Sequence, residues 1–102
     1  MEIKKTNFKN LIEIKFKKYS DKRGSFIKIF NKKNSNNFKN ECYESYLSIS
    51  KKGAVRGLHA QSGRYAQDKL ICCVKGKLLD LAIDIRKNSK TYGKVYKKIL
   101  DS

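Results

Sequence analysis

The segment Lys51–Leu70, "KKGAVRGLHAQSGRYAQDKL", contains the only histidine of the chain, His59, with Gly57 two residues before it and Gln61 two residues after. An imidazole titrates near neutral pH and can remove or deliver a proton unaided, so a single histidine suffices for general acid–base chemistry. It does not suffice for a small-barrel metal centre, which draws on several His or Glu ligands, and no metal is expected. If residues 55–61 form a strand, Gly57, His59 and Gln61 share one face. Gly57 then removes bulk beside the ring and Gln61 offers an amide next to it, which leaves room for a ligand. A histidine of purely structural or surface character fits the same pattern. The three cysteines, Cys42, Cys72 and Cys73, are odd in number and lack a C-x-x-C spacing, so they read as reduced thiols and not as a disulfide framework.

The remainder of the chain must position that residue. Short alternating runs recur at 11–19, 25–30, 43–50, 69–76, 77–86 and 93–100, separated by turn formers such as "SDKRGS", "NKKNSNN" and "KNSKTYG". One short helix is conceivable at 31–40; otherwise the pattern predicts an all-β antiparallel sandwich or barrel. In "KLLDLAIDIR", Leu79, Leu81, Ile83 and Ile85 occupy one face while Asp80, Ala82, Asp84 and Arg86 occupy the other. The acidic face either meets solvent or lines a polar interior, and alternation leaves both readings open.

At 102 residues, with 39% hydrophobic and 11% aromatic residues, one domain over 1–102 is expected. No apolar run approaches the ~20 residues of a membrane span, nor does "MEIKKTNFKN" resemble a signal peptide, so a cytoplasmic location is expected. The 25 basic residues against 9 acidic ones give a net charge of +16. Only Arg23, Arg56, Arg64 and Arg86 are arginines; the scattered lysines look more like a compositional bias than a nucleic-acid reading surface, although a positive field would also draw in an anionic small substrate.

The ordered series "DKRGSF" (21–26), "SISKKGAVRGLHAQ" (48–61) and "YAQDKLICCVKGKLLDLAIDIRKNSKTYGK" (65–94) resembles the N-terminal half of the dTDP-4-dehydrorhamnose 3,5-epimerase family, the RmlC-type enzymes of the cupin superfamily. The resemblance implies a cupin-like jelly roll, incomplete at its C-terminus, and a metal-free and cofactor-free epimerase that inverts the carbons flanking the 4-ketone of a nucleotide-linked 6-deoxyhexose, in deoxysugar synthesis for surface polysaccharide. By matching position it implies that His59 is the base and that Lys69 stands near the developing enolate. Asp80 matches an acid lining the cavity, and Arg56 and Arg23 match arginines that hold the anionic nucleotide. Gln61, Lys28, Glu44 and Tyr46 fall at positions facing the substrate. A homodimer with exchanged N-terminal strands is also implied, in which Arg23 serves the neighbouring site.

Departures from the family pattern gather at the nucleotide end of the ligand. Lys28 stands where a glutamate is usual, Glu44, Ser45 and Tyr46 replace a Gln-Asp-Asn run, and Ala60 replaces a tyrosine. Another nucleotide-linked keto sugar therefore fits these positions as well. The family's tyrosine proton donor, and the aspartate that pairs with its histidine, belong to a part beyond "KKILDS"; Tyr65, Tyr92 and Tyr96 lie outside the donor position. The alternatives to an enzyme are a non-catalytic remnant that binds a nucleotide sugar or dimerises and, ranked last, a lysine-rich module binding nucleic acid.

Overall fold

The computed structural model describes residues 1–31 and 44–102. Among these residues six strands pair as three antiparallel hairpins: β1 (Glu2–Lys5) with β2 (Ile12–Lys15), β3 (Lys18–Asp21) with β4 (Gly24–Ile27), and β5 (Lys77–Ile83) with β6 (Val95–Asp101). The helical element among the described residues is a single 3-10 turn, Gly63–Tyr65. Two units are formed, Met1–Asn37 with Ile83–Tyr96, and Phe38–Ala82 with Lys97–Ser102. The boundary falls within the β5–β6 hairpin. The helix conceived for 31–40 lies almost wholly outside the described residues.

Cross-strand chemistry explains the first two hairpins. In β1–β2, Ile3 faces Ile14 while Glu2 faces Lys15 and Lys4 faces Glu13, so apolar and opposite-charge pairs reinforce one register. Thr6 closes the loop: its hydroxyl donates to the Leu11 carbonyl at 2.7 Å and accepts from the Phe8 amide at 3.1 Å. Asn10 takes the left-handed conformation, φ 66°, which Asn tolerates better than most residues. In β3–β4, Tyr19 faces Phe26 with ring centroids 6.4 Å apart, and the Ser20 and Ser25 hydroxyls lie 2.9 Å apart. The ammonium of Lys17 lies 5.0 Å from the Tyr19 ring centroid.

The run expected to form one strand at 11–19 is therefore two, broken at Phe16–Lys17, because each half finds a different partner. The run at 25–30 ends at Ile27, and the strands expected at 55–61 and 69–76 are irregular, as are residues 44–50 of the run at 43–50. A strand requires an adjacent edge to hydrogen-bond, and alternation supplies only the propensity.

No apolar residue is buried among those described, and Val55 is 90% and Ile49 86% exposed. On β5 the alternation is resolved in favour of a covered acidic face: Asp80 and Ala82 are half-buried while Leu79, Leu81 and Ile83 are exposed. On β6, Tyr96, Lys98 and Leu100 are the half-buried set.

Among the described residues the buried one is Asp84, just past β5. Its Oδ1 accepts from the Arg86 amide at 3.1 Å and from Arg86 Nε at 2.8 Å. Its Oδ2 accepts from Arg86 Nη2 at 2.8 Å and from the Ser89 and Thr91 hydroxyls, both at 2.6 Å. Arg86 Nη1 then donates to the Lys9 carbonyl at 2.9 Å, tying this turn to the β1–β2 loop. Five donors on one carboxylate, led by the Arg86 guanidinium, hold its pKa far below the usual carboxylate range. A group depressed in the folded state contributes stability that is present above its unfolded pKa and is lost as pH falls. Thermal stability should accordingly be flat above pH 5 and decline as pH drops through about 4 and below. Asp84→Asn turns an acceptor into an amide donor facing other donors, and should lower the melting midpoint by roughly 5–10 °C while flattening the acid limb. A variant that melts with the parent across pH 3–7 would show that the network is dispensable.

Candidate functional site

The residues carried by the resemblance are distributed over both units. Arg56, His59, Gln61, Lys69, Asp80, Glu44 and Tyr46 belong to the second, and Arg23 and Lys28 to the first. Asp80 is held by a strand, half-buried on the covered face of β5. His59, Gln61 and Lys69 lie on irregular, exposed backbone between residue 44 and the start of β5.

Residues 55–61 are not a strand, yet Gly57 and the His59 ring are neighbours. Gly57 has φ +100°, a conformation L side chains rarely adopt, and a Cβ placed there would sit 2.9 Å from His59 Nδ1 and 3.6 Å from Cε1. The ring therefore rests against backbone where any other residue would displace it. Three residues before His59, Arg56 donates from Nε to the Ser50 hydroxyl at 3.0 Å, which fixes the side edge of that guanidinium. Among the described residues, His59, Lys69 and Asp80 share no hydrogen bond or ion pair. Lys28 follows β4 on exposed, irregular backbone, and Tyr46 is exposed.

Arg23 occupies the two-residue turn between β3 and β4, beside an open hollow lined by Tyr19, Ser20, Asp21, Gly24, Ser25 and Phe26. Asp21 grips it: Oδ1 accepts from the Arg23 amide at 2.8 Å, and Oδ2 from Nη2 at 2.6 Å and Nε at 3.2 Å. The guanidinium lowers the Asp21 pKa, and the carboxylate raises that of Arg23.

Two tyrosines are engaged elsewhere. Tyr96 donates its hydroxyl to Glu13, which pushes its pKa up to about 12, and its ring meets Phe8 edge-on at 5.7 Å. Tyr65 accepts from Arg64 Nη2 at 2.7 Å, with that guanidinium also 4.8 Å from its ring centroid. Sequence reasoning missed the Asp84 network, the Asp21 grip and the Glu13–Tyr96 bond. The first two carry a local signal, an acid two residues before an arginine in a turn; the third joins residues 83 apart in sequence and carries none. Among the described residues there is no group of three or more His, Cys, Asp or Glu side chains that could hold a metal ion, and no helix is long and apolar enough to cross a membrane.

The family model for dTDP-4-dehydrorhamnose 3,5-epimerase matches residues 5–102. A dTDP-4-dehydrorhamnose 3,5-epimerase of Shigella flexneri is 41% identical over 97 residues, covering 92% of this chain and 54% of the relative. One from Escherichia coli K12 is 35% identical over 97 residues, covering 92% and 52%. The crystal structure of dTDP-4-dehydrorhamnose 3,5-epimerase from Elizabethkingia anophelis NUHP1 superposes with a TM-score of 0.82 at 36% identity, covering 99% of this chain and 57% of that one. The all-β chain thus has the cupin-like fold of that enzyme over the matched portion. It spans about half the length of the curated relatives it matches.

Proposed function

The chain belongs to the dTDP-4-dehydrorhamnose 3,5-epimerase family, and from that premise we propose that it carries the base-bearing part of a nucleotide-sugar epimerase acting on a dTDP-linked 4-keto-6-deoxyhexose or a close analogue. The observation that carries this reading is the family match over residues 5–102, which takes in every candidate residue named above.

In the proposed step the His59 imidazole takes the proton from a carbon α to the ketone. The C–H electron pair forms a C=C bond to the ketone carbon, and the C=O π pair moves onto the ketone oxygen, giving the enolate. The Lys69 ammonium stabilises that oxygen, and reprotonation of the carbon from the opposite face completes inversion. Arg56 and Arg23 hold the diphosphate, Asp80 contributes polarity to the cavity wall, and Gln61, Lys28, Glu44 and Tyr46 contact the rest of the ligand. The close approach of the ring to Gly57 supports this use of His59, because it seats the imidazole against backbone. We further assign the chain to one cupin-type domain working in the cytoplasm as a homodimer with exchanged N-terminal strands. The exposed apolar residues support a second copy as their cover.

Incubating residues 1–102 with the dTDP-linked keto sugar in deuterated water tests the reading. The expected result is deuterium at carbons flanking the ketone with little inverted sugar, since Tyr65, Tyr92 and Tyr96 lie outside the family's donor position and the Tyr96 hydroxyl is already donated to Glu13. Absence of exchange with bound substrate would overturn the base assignment. Efficient inversion would show that a donor lies within these residues after all.

A further inference from the structure

The surface ion pair at the β3–β4 turn has a geometry that its contribution to stability does not account for. Asp21 and Arg23 are exposed, with side chains 53% and 90% accessible, and pairs of that kind add little to folding. Yet the carboxylate makes contacts to the amide, Nε and Nη2 of the same residue. The amide contact is an Asx turn, which shapes the two-residue loop and brings the carboxylate beside the emerging side chain. The side-chain contacts run along the Nε–Nη2 edge of the guanidinium. A guanidinium carries five N–H donors in a rigid fork, so the outward edge, with both hydrogens of Nη1 and the second of Nη2, is left available among the described residues. That edge matches the spacing of two phosphate oxygens.

From this geometry we propose that Asp21 is a positioning residue: it fixes the Arg23 guanidinium so that the outward fork is presented to the diphosphate of the ligand. The proposal rests on the reading of Arg23 as a nucleotide-binding residue. Its consequence runs against simple electrostatics. A carboxylate beside an anion site opposes anion binding, so if Asp21 were only a nearby charge, removing it would tighten binding. If it pre-orders a long, rotamer-rich side chain, removing its second gripping oxygen weakens binding despite the lost negative charge.

The experiment is calorimetric titration of thymidine diphosphate, and of inorganic pyrophosphate, into the parent chain, Asp21→Asn, Arg23→Ala, Arg23→Lys and the Asp21→Asn/Arg23→Lys double variant. Asparagine retains an oxygen for the Arg23 amide and so keeps the turn. Asp21→Asn should weaken both ligands by ~3–10-fold, consistent with one long side chain having to be ordered on binding. In the Arg23→Lys background the same change should be neutral or tightening, so that the two substitutions are coupled. The Arg23 Nε–H signal in the ligand-free chain gives an independent readout: it should be shifted and slow to exchange in the parent and solvent-like in Asp21→Asn. Unchanged or tighter binding by Asp21→Asn, with binding lost in Arg23→Ala, would overturn the positioning role alone. Parent-like binding by Arg23→Ala, or no binding by the parent chain, would overturn the reading of Arg23 and the proposal with it.

Discussion

His59→Asn should reduce deuterium exchange α to the ketone by about 10²–10⁴-fold, the range expected when a general base is removed and nothing replaces it. Asparagine preserves much of the polar outline of the imidazole and cannot accept a proton near neutral pH, so binding of the nucleotide should be largely retained. A companion variant separates presence of the ring from its placement. Gly57→Ala introduces a Cβ 2.9 Å from Nδ1, at a φ of +100° that disfavours any L residue. The ring must move, and exchange should fall by a smaller factor, because the base survives in a displaced position. Exchange at the parental rate in His59→Asn would remove His59 from the chemistry. A parental rate in Gly57→Ala alone would show that the seating of the ring is immaterial while leaving the base in place.

That pair of residues illustrates what local sequence can and cannot reveal. Gly57 and His59 were expected to lie together because they alternate on a strand; they do lie together, but on irregular backbone, because the glycine occupies a left-handed conformation. The β3–β4 turn was legible in "DKRG", where an acid, a two-residue loop and a glycine with φ +131° coincide. The β5 strand was legible from its alternation, yet that pattern could not tell which face is covered. The outcome, Asp80 half-buried and Leu79 and Ile83 exposed, depends on what packs against the strand and not on the strand itself. The strand β1 was missed because "EIKK" is too short to show a period and owes its register to Ile14 and Glu13 of its partner. Conversely, 69–76 has the composition of a strand and lacks the edge to make one among the described residues. Asp84 was seen only as one of two acids on a face; its hub role depends on Ser89 and Thr91 returning through a turn.

Lys69→Met is the substitution that separates binding from chemistry. Lys69 lies exposed on irregular backbone shortly before β5, where an ordinary surface lysine would also be found. If its ammonium stabilises the enolate, the interaction strengthens only as charge leaves the carbon and collects on the ketone oxygen. It then contributes to the transition state far more than to the bound ground state. Methionine matches the length and apolar stem while removing the charge, so exchange turnover should drop by roughly 10²–10³-fold, the scale found when a single donor to a developing oxyanion is lost. Affinity for thymidine diphosphate, which lacks the ketone, should change by less than about threefold, a shift near the background of surface substitutions. Lys69→Arg keeps the charge but spreads it over a larger plane and should recover only part of the rate. Each other result has a definite meaning. Matching losses in rate and diphosphate affinity would place Lys69 at the phosphates with Arg56 and Arg23, and leave the enolate to another donor. Parental turnover would return it to the solvated surface, and the developing charge would then have to be met from outside these residues.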